Sequence, residues 1–98
     1  MDTEFADESL RRLESDATFT GGFGQEIVKA FRKRMQLIRA ARDARDFYAM
    51  KSLHLEKLKG DRQGQCSMRL NQQWRLIFEY RKQSTSTTVV IVSIIDYH

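Results

Sequence analysis

Cys66-Ser67-Met68-Arg69-Leu70, the turn Asn71-Gln72-Gln73 and Trp74-Arg75-Leu76-Ile77-Phe78-Glu79-Tyr80-Arg81 form the stretch whose reading decides the fold. Cys66, Met68 and Leu70 alternate with Gln65, Ser67, Arg69 and Asn71, and Trp74, Leu76, Phe78 and Tyr80 alternate with Arg75, Ile77, Glu79 and Arg81. A period of two over such runs predicts two half-buried antiparallel strands. Parity then selects the turn. A two-residue loop at Gln72-Gln73 would set Leu70 against Arg75 and oppose the two apolar sets. A three-residue loop, Asn71-Gln72-Gln73, sets Leu70 against Trp74 and Met68 against Leu76, keeping one apolar face. Thr88 to Ile95, apolar on both sides apart from Ser93, is expected to be a central strand.

Before Leu53 the apolar period is 3.6. From about Gln25 to Ala41, Ile27, Ala30, Phe31, Met35 and Ile38 share one face with Leu37 at its edge, which predicts a core-packed helix. Lys29, Arg32, Lys33 and Arg39 fall opposite, as a solvated basic back on which an acidic partner would bind. Arg34, near the apolar face, is expected to snorkel. Leu10 and Leu13 mark a short helix after the incoming Phe5, Thr18 to Gly24 is a loop, and Asp43 to Met50 a further helical turn packing Phe47 and Tyr48. The expected architecture is α+β, with two or three N-terminal helices packed on one face of a small antiparallel β-sheet.

Ninety-eight residues make one domain over 1–98. No apolar run approaches a membrane span, and the acidic opening Met1-Asp2-Thr3-Glu4 offers no secretory signal, so a cytoplasmic protein is expected. A single cysteine excludes an internal disulfide. Seventeen Lys and Arg against thirteen Asp and Glu give +4. The balance is uneven, because residues 1–16 hold six acids and two bases. The rest of the chain is therefore strongly basic and arginine-rich, which suits a polyanion or acidic protein partner.

With helices over the Trp74 face, the other face of the sheet is expected to present Arg69, Arg75 and Arg81 to solvent. Lys57, Lys59 and Arg62 crowd around Gly60, whose Lys59-Gly60-Asp61-Arg62 setting reads as a turn; the spacing is not that of a P-loop. A rigid strand delivers Asp96-Tyr97-His98, a carboxylate, a phenol and an imidazole capable of proton transfer and stacking. Neither His54 nor His98 has partners at metal-ligand spacing, so no metal or other cofactor is expected. Cys66, on the core face beside Met68, reads as a buried inert thiol.

Leu55-Glu56-Lys57-Leu58-Lys59-Gly60-Asp61-Arg62, Ser67-Met68-Arg69-Leu70-Asn71, Gln73-Trp74-Arg75-Leu76 and Asp96-Tyr97-His98 together resemble the HigB-type toxins of the RelE/ParE superfamily, found in bacterial type II toxin–antitoxin systems. The resemblance implies a RelE-like fold, ribosome-dependent mRNA cleavage without a metal, and neutralisation by a cognate helix-turn-helix antitoxin in an oligomeric complex. It implies that Arg75 stabilises the phosphate, that Lys57, Lys59 and Arg62, with Arg69 on the same strands, hold mRNA and ribosomal RNA, and that Asp96, Tyr97 and His98 form the catalytic end. His98 would transfer a proton, Tyr97 stack on or orient a base, and Asp96 orient His98. Glu56 stands where some HigB proteins carry a histidine, while His54 lies two residues earlier. On a strand both project to one side, and either could serve as base. Family members also usually open with an apolar strand, so a short or frayed first strand is expected here. Two other functions stand beside cleavage: growth inhibition by binding DNA gyrase, and silent binding to ribosome or RNA.

Overall fold

The computed structural model describes residues 1–96. Five strands, β1 (Asp2–Phe5), β2 (Glu56–Lys57), β3 (Cys66–Arg69), β4 (Trp74–Lys82) and β5 (Thr87–Asp96), form one sheet in the order β1-β5-β4-β3-β2. Helices α1 (Glu8–Ser15), α2 (Gln25–Ala40) and the single turn α3 (Arg45–Tyr48) precede β2 in the chain. The apolar side chains of α1 and α2, with Phe47 of α3, share one core with Met68, Leu76, Phe78, Val89 and Ile91 of the sheet. Phe31, Phe47 and Phe78 are wholly buried, each contributing about 1.5–3 kcal/mol of apolar burial. The last two meet edge to face.

The parity argument holds at the hairpin. Met68 lies opposite Leu76 and Arg69 opposite Arg75, and the Leu70 amide donates to the Trp74 carbonyl at 2.9 Å. β5 is central, between β1 and β4. Its register against β4 slips once, since Ile77 faces Ser93 whereas Phe78 faces Ile91. The extra residue, Val92, is a bulge that keeps Ile94 and Ile91 on the same side as Leu76 and Phe78. A strand apolar on both faces tolerates such a slip.

Three expectations are corrected. The sheet is mixed, because β1 runs parallel to β5, from Asp2 opposite Thr88 to Phe5 opposite Ile91. The first strand is therefore present rather than frayed. Thr3 and Phe5 turn partly inward while Asp2 and Glu4 face out, and Glu4 forms an ion pair with Arg81 of β4. The amino group of Met1 donates to the carbonyls of Ile38, Arg39 and Ala41, at 3.2, 3.0 and 2.6 Å, at the C-terminal end of α2. Tyr48, expected in the core, is 55% exposed; in a four-residue helix only Phe47 can face inward.

The back of α2 is not simply solvated. Arg32 donates to the carbonyls of Leu13, Asp16 and Phe19, closing the C-terminal end of α1 and the turn after it. Arg39 holds Glu14 with two bonds of 2.7 Å, leaving Lys29 and Lys33 exposed. Arg32→Ala removes all three bonds, and the expected loss is about 1–3 kcal/mol. It will appear as a lower urea midpoint at unchanged slope; an unchanged midpoint would show that the α1–α2 seam needs no arginine.

Candidate functional site

The functional corner grows from the hairpin. Arg69 and Arg75 are direct cross-strand partners, so their side chains leave the same face, the one opposite the helices. Like charges in that relation repel, and each guanidinium is drawn to neutral acceptors. Arg75 Nε donates to Ser67 Oγ at 2.8 Å, and its Nη2 donates to the carbonyl of His54. Arg69 Nε donates to the Asn71 carbonyl at 3.1 Å, and its Nη1 lies 3.1 Å from His54 Nε2. Because arginine only donates, that ring nitrogen is the acceptor in this contact.

Two expectations change here. Arg75 is not a solvent-facing arginine but is only 8% exposed, beside wholly buried Ser67 and Ile77. Arg81 is taken up by Glu4, at the other end of β4. His54 is not on a strand. It follows the 3-10 turn Lys51–Leu53 in left-handed backbone, φ 45° and ψ 53°, the only non-glycine at positive φ among the described residues. That twist turns its carbonyl to Arg75 and its ring to Arg69.

Glu56 and Lys57 form β2, opposite Ser67 and Cys66 respectively. Successive strand residues face opposite ways, so Glu56 shares the Arg75 face while Lys57 turns to the helix face. Lys59 and Arg62 sit on the exposed turn about Gly60, φ 65°, and Arg62 Nη1 donates to Gln65 Oε1 at 3.2 Å. Asp96 closes β5 opposite Trp74 and accepts from Gln73 Nε2 at 2.9 Å. Tyr97 and His98 lie outside the described residues.

The structure thus brings His54, Glu56, Arg69 and Arg75 to one corner, with Asp96 at the neighbouring strand end. Lys57, Lys59 and Arg62 stand away from it. Sequence reasoning missed Ser67, the hydroxyl that anchors Arg75, and Arg34. Arg34 does not snorkel to water: half-buried, it donates to the Arg69 carbonyl at 2.9 Å, and burial lowers its pKa. The available signal for Ser67 was its parity, which sets a small hydroxyl on the arginine face. The corner carries cations, a carboxylate and an imidazole, so it can hold a phosphate and accept a proton.

The fold is shared with solved toxin structures. The chain aligns over its full length with the whole YoeB/ParE toxin from Agrobacterium tumefaciens, at 17% identity and TM-score 0.65. It also aligns over its full length with 97% of a chain of the YoeB-YefM complex from Staphylococcus aureus, at 19% and 0.61. YafQ from E. coli strain BL21(DE3) matches 97% of this chain and 91% of its own, at 11% and 0.60. The family model for the RelE-like toxin of type II toxin–antitoxin system HigB matches residues 3–98. Toxin HigB-1 of Vibrio cholerae serotype O1 is 30% identical over 80 residues, 82% of this chain and 84% of that protein. The chain belongs to the HigB-like toxins of the RelE superfamily, toxins of type II toxin–antitoxin systems.

Two measurements test the corner. Ser67→Ala removes the acceptor for a buried guanidinium nitrogen, with an expected loss of about 1–3 kcal/mol in thermal unfolding; no loss would mean that Arg75 is held without it. Burial raises the pKa of the Cys66 thiol, so less thiolate is present at a given pH than for a free cysteine. Disulfide reagents should label it slowly at pH 8.5 in the folded protein and at the ordinary rate in urea. Fast labelling of the folded protein would place Cys66 at the surface.

Proposed function

We propose that this toxin is a ribosome-dependent endoribonuclease that cuts mRNA without a metal cofactor. The observation that carries the reading is the direct opposition of Arg69 and Arg75 on the sheet face that also carries Glu56. A phosphate over this face answers both charges, through charge-assisted hydrogen bonds from the more exposed Arg69 and through the positive field of Arg75 beneath it.

The reaction follows from the groups. Glu56 takes the proton of a ribose 2′-hydroxyl, and the 2′-oxygen attacks the adjacent phosphorus. Arg75 and Arg69 stabilise the charge that builds on the phosphoryl oxygens. His98 protonates the departing 5′-oxygen, leaving a 2′,3′-cyclic phosphate and a 5′-hydroxyl. Tyr97 stacks on or orients a base, and Asp96 orients His98. Glu56 is preferred to His54 as base, because the Nε2 lone pair of His54 is engaged by Arg69 while Glu56 shares the face of Arg75. His54 becomes the brace that keeps the two arginines apart. Lys57, Lys59 and Arg62 grip the mRNA and ribosomal RNA backbone beyond the scissile bond.

The neutralising partner is a cognate helix-turn-helix antitoxin in an oligomeric complex. The family match supports it, as does the S. aureus YoeB relative solved as a YoeB-YefM complex. Lys29 and Lys33 on α2 offer it an exposed basic surface. Cytoplasmic ribosomes set the place of action.

Primer extension on an mRNA in a purified bacterial translation system, with and without ribosomes, tests the reading. Cuts within codons should require ribosomes. Glu56→Gln and His98→Ala should each slow them by about 10²–10⁴-fold, Arg69→Ala by about 10²–10³-fold, and His54→Ala should have the smallest effect. Growth arrest with intact mRNA and damaged DNA would replace cleavage by gyrase binding.

A further inference from the structure

Between α2 and the β3–β4 turn lies a cavity of about 550 Å³ that the cleavage steps leave unused. Its size is that of a small-molecule pocket. Glu26 and Arg34 line it from α2, His54 from the turn before β2, and Arg69, Asn71 and Gln73 from the hairpin. The cavity adjoins the corner, because His54 also gives its carbonyl to Arg75. On the other side Gln73 donates to Asp96 at 2.9 Å, which ties the cavity to the end of β5.

Two side chains of opposite sign face this space without being paired to each other. Arg34 spends its Nε on the Arg69 carbonyl; no carboxylate offsets its burial, which alone lowers its pKa. Glu26 is exposed, and its Oε1 accepts one long bond, 3.3 Å, from Asn71 Nδ2. The cavity therefore offers a guanidinium fork at one end and a carboxylate at the other. Along α2 the two residues stand about 12 Å apart, at about 1.5 Å per residue. That is the span of a purine with a hydrogen bond at either edge.

We propose that this cavity binds a guanine base of the mRNA beside the scissile phosphate, with Arg34 donating to O6 and N7 and Glu26 accepting from N1–H and the 2-amino group. Guanine presents a pair of acceptors that suits an arginine fork, and a pair of donors that suits a carboxylate. Adenine carries an amino group in place of O6 and meets the guanidinium donor to donor. A second phosphate answers Arg34 but is repelled by Glu26. The His54 ring and the Arg69 guanidinium supply planar groups on which the base stacks, as bases do in single-stranded RNA recognition. The inference rests on the cleavage reading for the place of the base in the reaction, and it adds two residues of α2 which that reading does not use.

Two measurements on the full chain test it. In the first, 2′-O-methyl trinucleotides, which resist cleavage, are titrated into labelled protein with guanine or adenine at the centre. The guanine probe should bind at least fivefold more tightly and shift the side-chain resonances of Arg34. Glu26→Gln alters one exposed side chain and keeps its size; it should erase the contrast while leaving the melting temperature within a few degrees. In the second, ribosome-dependent cuts are mapped on mRNAs carrying each base in turn. Guanine beside the cut should speed cleavage at least fivefold, and Glu26→Gln and Arg34→Gln should remove that advantage with guanine-free sites changed less than threefold. Guanine-selective binding without any cuts would sink the cleavage reading and keep the base site. Cuts with no guanine preference, a preference for adenine, or a preference that survives Glu26→Gln each overturn the proposal and leave cleavage standing.

Discussion

The guanidinium of Arg75 ties together β4, β3 and the turn that carries His54. From β4 it reaches across β3 to the hydroxyl of Ser67 and onward to the carbonyl of His54. Burying a cation costs several kcal/mol unless its donors are matched, and here the match is supplied by neutral groups. The same bonds hold His54 in left-handed backbone, a conformation that costs a non-glycine residue about 1–3 kcal/mol. Once His54 is turned, its ring meets Arg69, and Arg34 secures the strand beneath by binding the Arg69 carbonyl. A contact inside the sheet thereby sets the shape of the surface above it.

Charge elsewhere is spent in a different manner. The acid-rich opening of the chain reads as a negative tail, yet its carboxylates are nearly all engaged inside the molecule. Glu4 pairs with Arg81, Glu8 with Arg11, Glu14 with Arg39 and Asp16 with Arg12, while Asp7 caps α1 through the Ser9 amide. Exposed pairs of this kind contribute little stability individually. Their larger effect is on the outward field: Arg11, Arg12 and Arg39 are paired within the helical layer, and exposed positive charge remains at Lys29 and Lys33 of α2, on the Gly60 turn and at the β4 end.

The parts of the fold written in local periodicity were legible. The hairpin loop followed from parity alone, the buried stripe of α2 from its 3.6 period, and the central place of β5 from being apolar on both sides. β1 was not legible, because Asp2 and Glu4 read as an acidic lead while the edge that makes them a strand lies at the far end of the chain. The burial of Arg75 escaped for a related reason: alternation says which face a residue takes, not whether that face is wet. Ile77, apolar on the arginine face, was the clue. The residues of the corner were named from the resemblance, and the structure adds which of them meet. Lys57 parts from Glu56 because neighbours in a strand must, and His54 leaves the strand because its carbonyl is needed elsewhere.

β5 is flanked by β1 and β4, yet it is the last element of the sheet to be made. Until it is synthesised, β1 has nothing to pair with and β4 is bare along its longer side. A growing chain can form α1, α2 and the β3–β4 hairpin, but it cannot close the sheet. Pairing across such sequence distances is slow. It follows that a chain cut short before residue 87 lacks the strand that joins β1 to β4, and that the sheet closes late. The strand that completes the sheet is thus the one whose partners lie at opposite ends of the chain.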